Sequence, residues 1–375
     1  MPTRQRIVSY GIPTAAAATI IAAASLTPWQ TQREQQVTSC CTAPLGKGEA
    51  VDIVFALDTT GSMAEEIDAA KRTIFAIANT IRGTQKNADL LIGLVAYKDS
   101  DADSAYITKP FPLTRDLDAV YAELSSYTAA GGDDFPELVT VAMSDAIEMQ
   151  WRPNAKKLMF LVGDAWPAVR PGVPTYDTVT QRARELGITV NAIQSDDKAE
   201  TARTFQQIAS LGGGDFSVIP KDGGVNQIAT PYDDKLAELG ATVDSTTVII
   251  GTDGAREAYR TKMEAAQAAP APTKADRAGY YAQPGTAAAD DLVEGYASGS
   301  ASLESMDPAA LPAEMRGKDK GEIKAELDRR VATRKQAQQE MQKLSKERED
   351  YLKKHAPGDG FDAKVKATVE KQLKR

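Results

Sequence analysis

The stretch Val51–Met63, VDIVFALDTTGSM, decides the first reading of the chain. The run VDIVFAL is short, apolar and rich in β-branched residues, the pattern of a buried strand. Asp58 ends it, and Thr59, Thr60 and Ser62 place three hydroxyls directly behind. An acid and hydroxyls at the tip of a buried strand are costly unless something there uses them. The following segment AEEIDAAKRTIFAIANTIRG is amphipathic, with Ile67, Ala70, Ile74, Ile77 and Ile81 on one stripe. Strand, polar turn and helix thus stand in immediate succession.

The same alternation continues to about residue 220. ADLLIGLVAYKD, KKLMFLVGD, ITVNAIQ and GDFSVI read as further strands; RDLDAVYAELSSY, PELVTVAMSDAIEM, TYDTVTQRARELG and AETARTFQQIASLGG read as helices. Strands alternating with helices imply parallel βαβ units, and continuously apolar strands imply burial on both faces. The expected class is a doubly wound, Rossmann-like α/β domain with a mainly parallel sheet. Such sheets carry their chemistry outside the carboxyl ends of the strands. Asp58 and Asp164 both end strands, so they can converge on one site.

Composition narrows the function. The 375 residues carry a net charge of −8 and a pI near 5.0, which disfavours nucleic acid as a partner. The single histidine, His355, lies far along the C-terminal segment, away from any Ser-His-Asp or Cys-His arrangement. No phosphate-binding or dinucleotide glycine motif is present.

The expected organisation is a signal peptide or N-terminal anchor over 1–30 and a linker over 31–49. The α/β domain follows over 50–222, then a helical extension over 223–265. An Ala/Pro/Gly-rich connection over 266–317 and a charged helical tail over 318–375 complete it. Arg4 and Arg6 precede an alanine-rich apolar run, the pattern of an export signal, so an exported, cell-envelope protein is expected. Membrane contact is expected through that segment alone. The only cysteines are the neighbours Cys40 and Cys41; VTSC resembles a lipobox, making Cys40 a candidate lipidation site. In the tail, Ile323, Leu327, Val331, Met341, Leu344 and Leu352 make a thin apolar stripe, and Arg330 and Arg334 interrupt any clean heptad seam. A helix or helical hairpin lying on the domain and a coiled-coil partner interface are both open.

The candidate site is Asp58-x-Thr60-x-Ser62, then GGDDFPE (Gly131–Glu137), then Asp164 in LVGDAWP. These residues offer oxygen ligands only, which suits Mg²⁺, with Mn²⁺ or Ca²⁺ as further candidates. Gly61 permits the tight path between two hydroxyl ligands. Read singly, Thr60 and Ser62 could instead be helix caps, and Asp134 with Glu137 a capping box. Asp99, Asp101 and Asp103 read as a solvated acidic loop.

Taken in order, the three motifs resemble the von Willebrand factor A domain with a metal-ion-dependent adhesion site. Asp58, Thr60 and Ser62 match its D-x-[ST]-x-S motif. GGDDFPE resembles the G-G-G-D-x-P-E form of its second loop, and LVGDAWP its third segment. The resemblance implies Asp58, Thr60, Ser62, Asp134 and Asp164 as metal ligands, with Asp133 standing where the family usually has a third glycine. It implies a non-enzymatic protein-interaction or adhesion module whose Mg²⁺ grips an Asp or Glu carboxylate of a protein partner. The tail segment Leu292–Leu327 resembles that of bacterial envelope proteins with such a domain. Two alternatives stand beside it. A Mg²⁺-dependent phosphatase would need a second acid where Thr60 stands. A scaffold acting through its helical tail would leave the metal site degenerate.

Overall fold

The computed structural model describes residues 49–85, 88–99, 106–131, 137–220, 228–283, 286, 288, 290–303, 305–355 and 361–374. Within them one sheet is built from β1 (Ala50–Asp58), β2 (Asp89–Tyr97), β3 (Thr108–Thr114), β4 (Lys156–Gly163), β5 (Ile188–Gln194) and β6 (Gly213–Val218). Their spatial order is β3-β2-β1-β4-β5-β6, parallel throughout except for antiparallel β3. Helices α1 (Ala64–Thr84), α2 (Leu117–Ser126), α3 (Val139–Ile147), α4 (Tyr176–Glu185) and α5 (Ala199–Leu211) connect the strands. The expected doubly wound α/β class is the observed one.

Strand β3 is the element the sequence conceals. Its residues TKPFPLT carry Pro110 and Pro112, which read as loop. Proline cannot donate to a central ladder but is tolerated at a sheet edge, and β3 is an edge strand. The ladder shifts register between Ile92 and Leu94. A side chain on Gly93 would meet the Leu113 nitrogen, the Phe111 carbonyl and Met149 at 3.2 Å, so glycine permits that close approach.

The side chains of Ile53, Phe55 and Leu57 in β1 and Leu158, Phe160 and Val162 in β4 face one core, covered by α1 and α2. Helices α3, α4 and α5 pack on β1, β2, β5 and β6 from elsewhere on the sheet. The winding reverses between β1 and β4, which is the topological switch point. Asp58 ends β1 and Asp164 follows β4, one on each side of it.

Beyond β6 the chain is helical: α6 (Asp233–Thr246), α7 (Asp253–Ala268), α8 (Ala271–Tyr281), α9 (Leu292–Ser298), α10 (Lys320–His355) and α11 (Phe361–Leu373). The span 266–317, which reads as connection, therefore holds α8 and α9. The long α10 buries Ile323, Leu327, Arg334, Ala337, Met341 and Arg348 against the protein itself. Its two buried arginines are matched by acids. Arg334 donates to Asp291, and Arg348 donates to Asp233 at 2.6 Å and Asp276 at 2.7 Å.

Helix α11 has a different fate. Phe361, Val365, Val369 and Leu373 join the core of the sheet beside Phe55, Ile74 and Phe160. Asn191 of β5 and Gln372 exchange two amide hydrogen bonds, of 3.2 and 2.6 Å. Lys156 donates to the carbonyls of Gln372 and Leu373, both at 3.2 Å, where the helix dipole favours a cation. Among the described residues no helix is long and apolar enough to cross a membrane. The N-terminal segment and Cys40 lie outside them.

Candidate metal centre at the switch point

Asp58 is fully buried at the end of β1. Its Oδ1 accepts hydrogen bonds from the Thr60 amide at 2.8 Å and the Thr60 hydroxyl at 2.7 Å. These two hydrogen bonds to Oδ1 close the turn. The Thr60 hydroxyl is therefore committed to Asp58, and no side-chain cap forms at this helix start. Ser62 lies in a single tight turn, Gly61–Met63, that leads into α1. Its hydroxyl is 3.3 Å from that of Thr60 and lies on the exposed side. The turn thus runs from a buried acid to a hydroxyl at the mouth.

Asp164 is 3% exposed and sits across the switch point. Its backbone carbonyl accepts from Lys198 at 3.0 Å and Thr201 at 3.4 Å, which holds the segment down. Gly163 before it packs so closely that a side chain there would lie 2.5 Å from the Tyr97 hydroxyl.

Both ends of the second loop are anchored here. At its start the Gly61 amide donates to the Gly131 carbonyl at 2.8 Å, and Lys98 donates to the Ala130 carbonyl at 2.6 Å. At its end the Glu137 amide donates to Trp166 at 3.1 Å, and the Ala168 amide donates to Glu137 at 2.7 Å. Asp133 and Asp134 lie outside the described residues, as do Asp101 and Asp103. Asp99 is buried and accepts from Arg170 at 2.6 Å, rather than standing in a solvated loop.

Two acids outside the expected ligand set are also buried near enough to feel these charges. Glu66, in the first turn of α1, and Glu137 are each 1% exposed. Glu137 had the look of a helix-capping residue, but α3 starts only at Val139 and has no side-chain cap. The hint in the sequence was an acid beside an apolar run, a pattern that surface helices share.

The electrostatics are unbalanced. Asp58 Oδ2, Asp164 Oδ1, Glu66 Oε2 and Glu137 Oε2 are all buried without a hydrogen-bond partner among the described residues. Burial chiefly, then the neighbouring charges of Asp164 and Glu66, push the Asp58 carboxyl up to about 7 despite the bonds from Thr60. Burial, then Asp164 and Glu65, raise Glu66 to about 7. Burial, then Asp58, Asp99 and Asp164, raise Glu137 to about 9 against the pull of Arg170. Orphaned buried acceptors of one charge sign are what a bound cation satisfies. Among the described residues no three Asp, Glu, His or Cys side chains are close enough to hold one ion by themselves. A centre that takes hydroxyls as ligands does not require three. Asp58, Thr60, Ser62 and Asp164 together therefore fit a hard divalent cation.

Residues 52–219 match the von Willebrand factor A domain family. The sheet order, the switch point and the motif order described above are consistent with that match. A stretch of 117 residues is 31% identical to the alpha-protein kinase vwkA of Dictyostelium discoideum. That stretch is 31% of this chain and 19% of the kinase, so the likeness spans about a fifth of that relative's length. Two solved structures are each 16% identical to the chain. An aerotolerance-related membrane protein from Bacteroides fragilis matches over 46% of this chain and 92% of its own, with a TM-score of 0.34. The pilus adhesin SpaC of Lactobacillus rhamnosus GG matches over 47% and 28%, with a TM-score of 0.36.

Proposed function

We propose that this protein is a metal-dependent protein-interaction module of the cell envelope. Asp58, Thr60, Ser62 and Asp164 would hold Mg²⁺, with Asp134 completing the set from the second loop. Mn²⁺ and Ca²⁺ are the other ions of suitable chemistry. The bound ion supplies a Lewis-acidic position that a carboxylate from a protein partner can fill. The protein's own part is to keep Asp58 ionised and oriented through Thr60 and to present Ser62 at the surface.

One observation carries this reading. Two buried carboxylates flank the switch point, near enough for one charge to act on the other, each with an oxygen that nothing described satisfies. The reading includes no catalysis, since Thr60 stands where a phosphatase needs its second acid. The export-like N-terminal segment supports an envelope location.

The test is affinity capture from an envelope extract in Mg²⁺, with elution by EDTA, using wild-type and Asp58→Ala baits. Proteins released by EDTA from the wild type and absent from the variant are expected. Identical eluates from both baits would count against the reading.

A further inference from the structure

Glu137 and Thr140 have no part in the ligand set above, yet both are buried where α3 begins. Each is 1% exposed. Glu137 Oε2 and Thr140 Oγ1 find no hydrogen-bond partner among the described residues. They stand three residues apart where the chain enters α3: Glu137 lies before the helix, bridged to Pro167, and Thr140 lies in its first turn. The backbone of Glu137 is bound on both sides to the segment that follows Asp164, at 3.1 Å to Trp166 and 2.7 Å to Ala168. Asp58, Asp99 and Asp164 all lie near enough for their charges to act on it.

A buried carboxylate and a buried hydroxyl left unmatched so close in the chain call for water or an ion. Direct ligation by Glu137 is disfavoured, because no three acids among the described residues can share one ion. Mg²⁺ gives up its hydration water reluctantly and keeps several molecules when bound. We infer that Glu137, together with Thr140, anchors the ion at Asp58 and Asp164 from its outer shell. The Glu137 carboxylate accepts a hydrogen from a water of the ion's hydration shell, and the Thr140 hydroxyl bonds to the same water. This inference rests on the metal reading proposed above and extends it to a pair of positioning residues. Outer-shell partners of this kind are typically worth about 10–100-fold in metal affinity.

The test is calorimetric titration of Mg²⁺ and Ca²⁺ into the full chain, as wild type, Asp58→Ala, Glu137→Gln and Thr140→Val. Glu137→Gln keeps an oxygen acceptor and loses the charge. It is expected to weaken Mg²⁺ roughly 10-fold or more and to weaken Ca²⁺ less, since Ca²⁺ takes more direct ligands. Thr140→Val, close in shape, is expected to weaken Mg²⁺ several-fold in the same direction. Wild-type Mg²⁺ affinity in both Glu137→Gln and Thr140→Val, with binding lost in Asp58→Ala, would overturn the inference and leave the metal reading standing. No binding of either ion to the wild type would overturn both.

Discussion

Asp58 holds two opposed roles at once. Its Oδ1 is fully used by Thr60, while its Oδ2 is buried and unmatched. In metal-free protein that imbalance has a sign. The folded-state pKa values of Asp58 and Glu66, about 7, and of Glu137, about 9, lie above those of the unfolded chain, near 4 for such groups. Stability from these groups is therefore fully present below about pH 4 and is lost as pH rises through 7 and then 9. Metal-free protein is expected to lose thermal stability between pH 5 and pH 9. Mg²⁺, which favours the ionised forms, is expected to flatten that slope. Asp58→Asn, which cannot ionise, is expected to flatten it without metal. Melting curves in EDTA across this range decide the matter; a slope that Asp58→Asn leaves untouched would assign it to other groups. The acid-and-hydroxyl turn was legible because it is local: Asp58, Thr60 and Ser62 lie within one turn. Glu66, Glu137 and Thr140 were not, because their meaning depends on which buried space the fold brings them to.

At the scale of elements, α11 separates composition from packing. The stretch reads as the end of a charged helical tail, yet Phe361, Val365, Val369 and Leu373 form a full apolar side at helical spacing. The helix closes the sheet face that α1 and α2 leave open, beyond a long helical excursion from β6. Phe361→Ala is expected to cost about 3–5 kcal/mol, the usual range for a large buried aromatic. Urea unfolding of the full chain measures it, and a loss under about 1 kcal/mol would mean that α11 packs only loosely. Strand β3 shows the opposite failure: its prolines hide a strand that an edge position allows. The central strands were legible throughout, since burial on both faces leaves them almost no polar residues.

For the whole molecule, the helical region is fastened to the α/β domain by buried ion pairs. Arg277 of α8 donates to Asp118 of α2 at 2.7 and 2.8 Å and to Asp244 of α6 at 2.9 Å. Asn79 of α1 donates to the Asp276 carbonyl at 2.8 Å. Of the two arginines that break a heptad seam in the sequence, α10 buries Arg334 against Asp291, while Arg330 pairs with Glu326 of its own helix. Pairings of this length in sequence cannot be read without the fold. They also make the full chain, not the isolated 50–222 span, the right material for binding work, because the span alone lacks α11. The direct measurement is isothermal titration of Mg²⁺ into the full chain, wild type beside Asp58→Ala. Saturable binding of one ion per chain, absent in the folded variant, is the predicted result. Binding that Asp58→Ala leaves unchanged, or no binding to the wild type, would contradict the metal centre at the switch point.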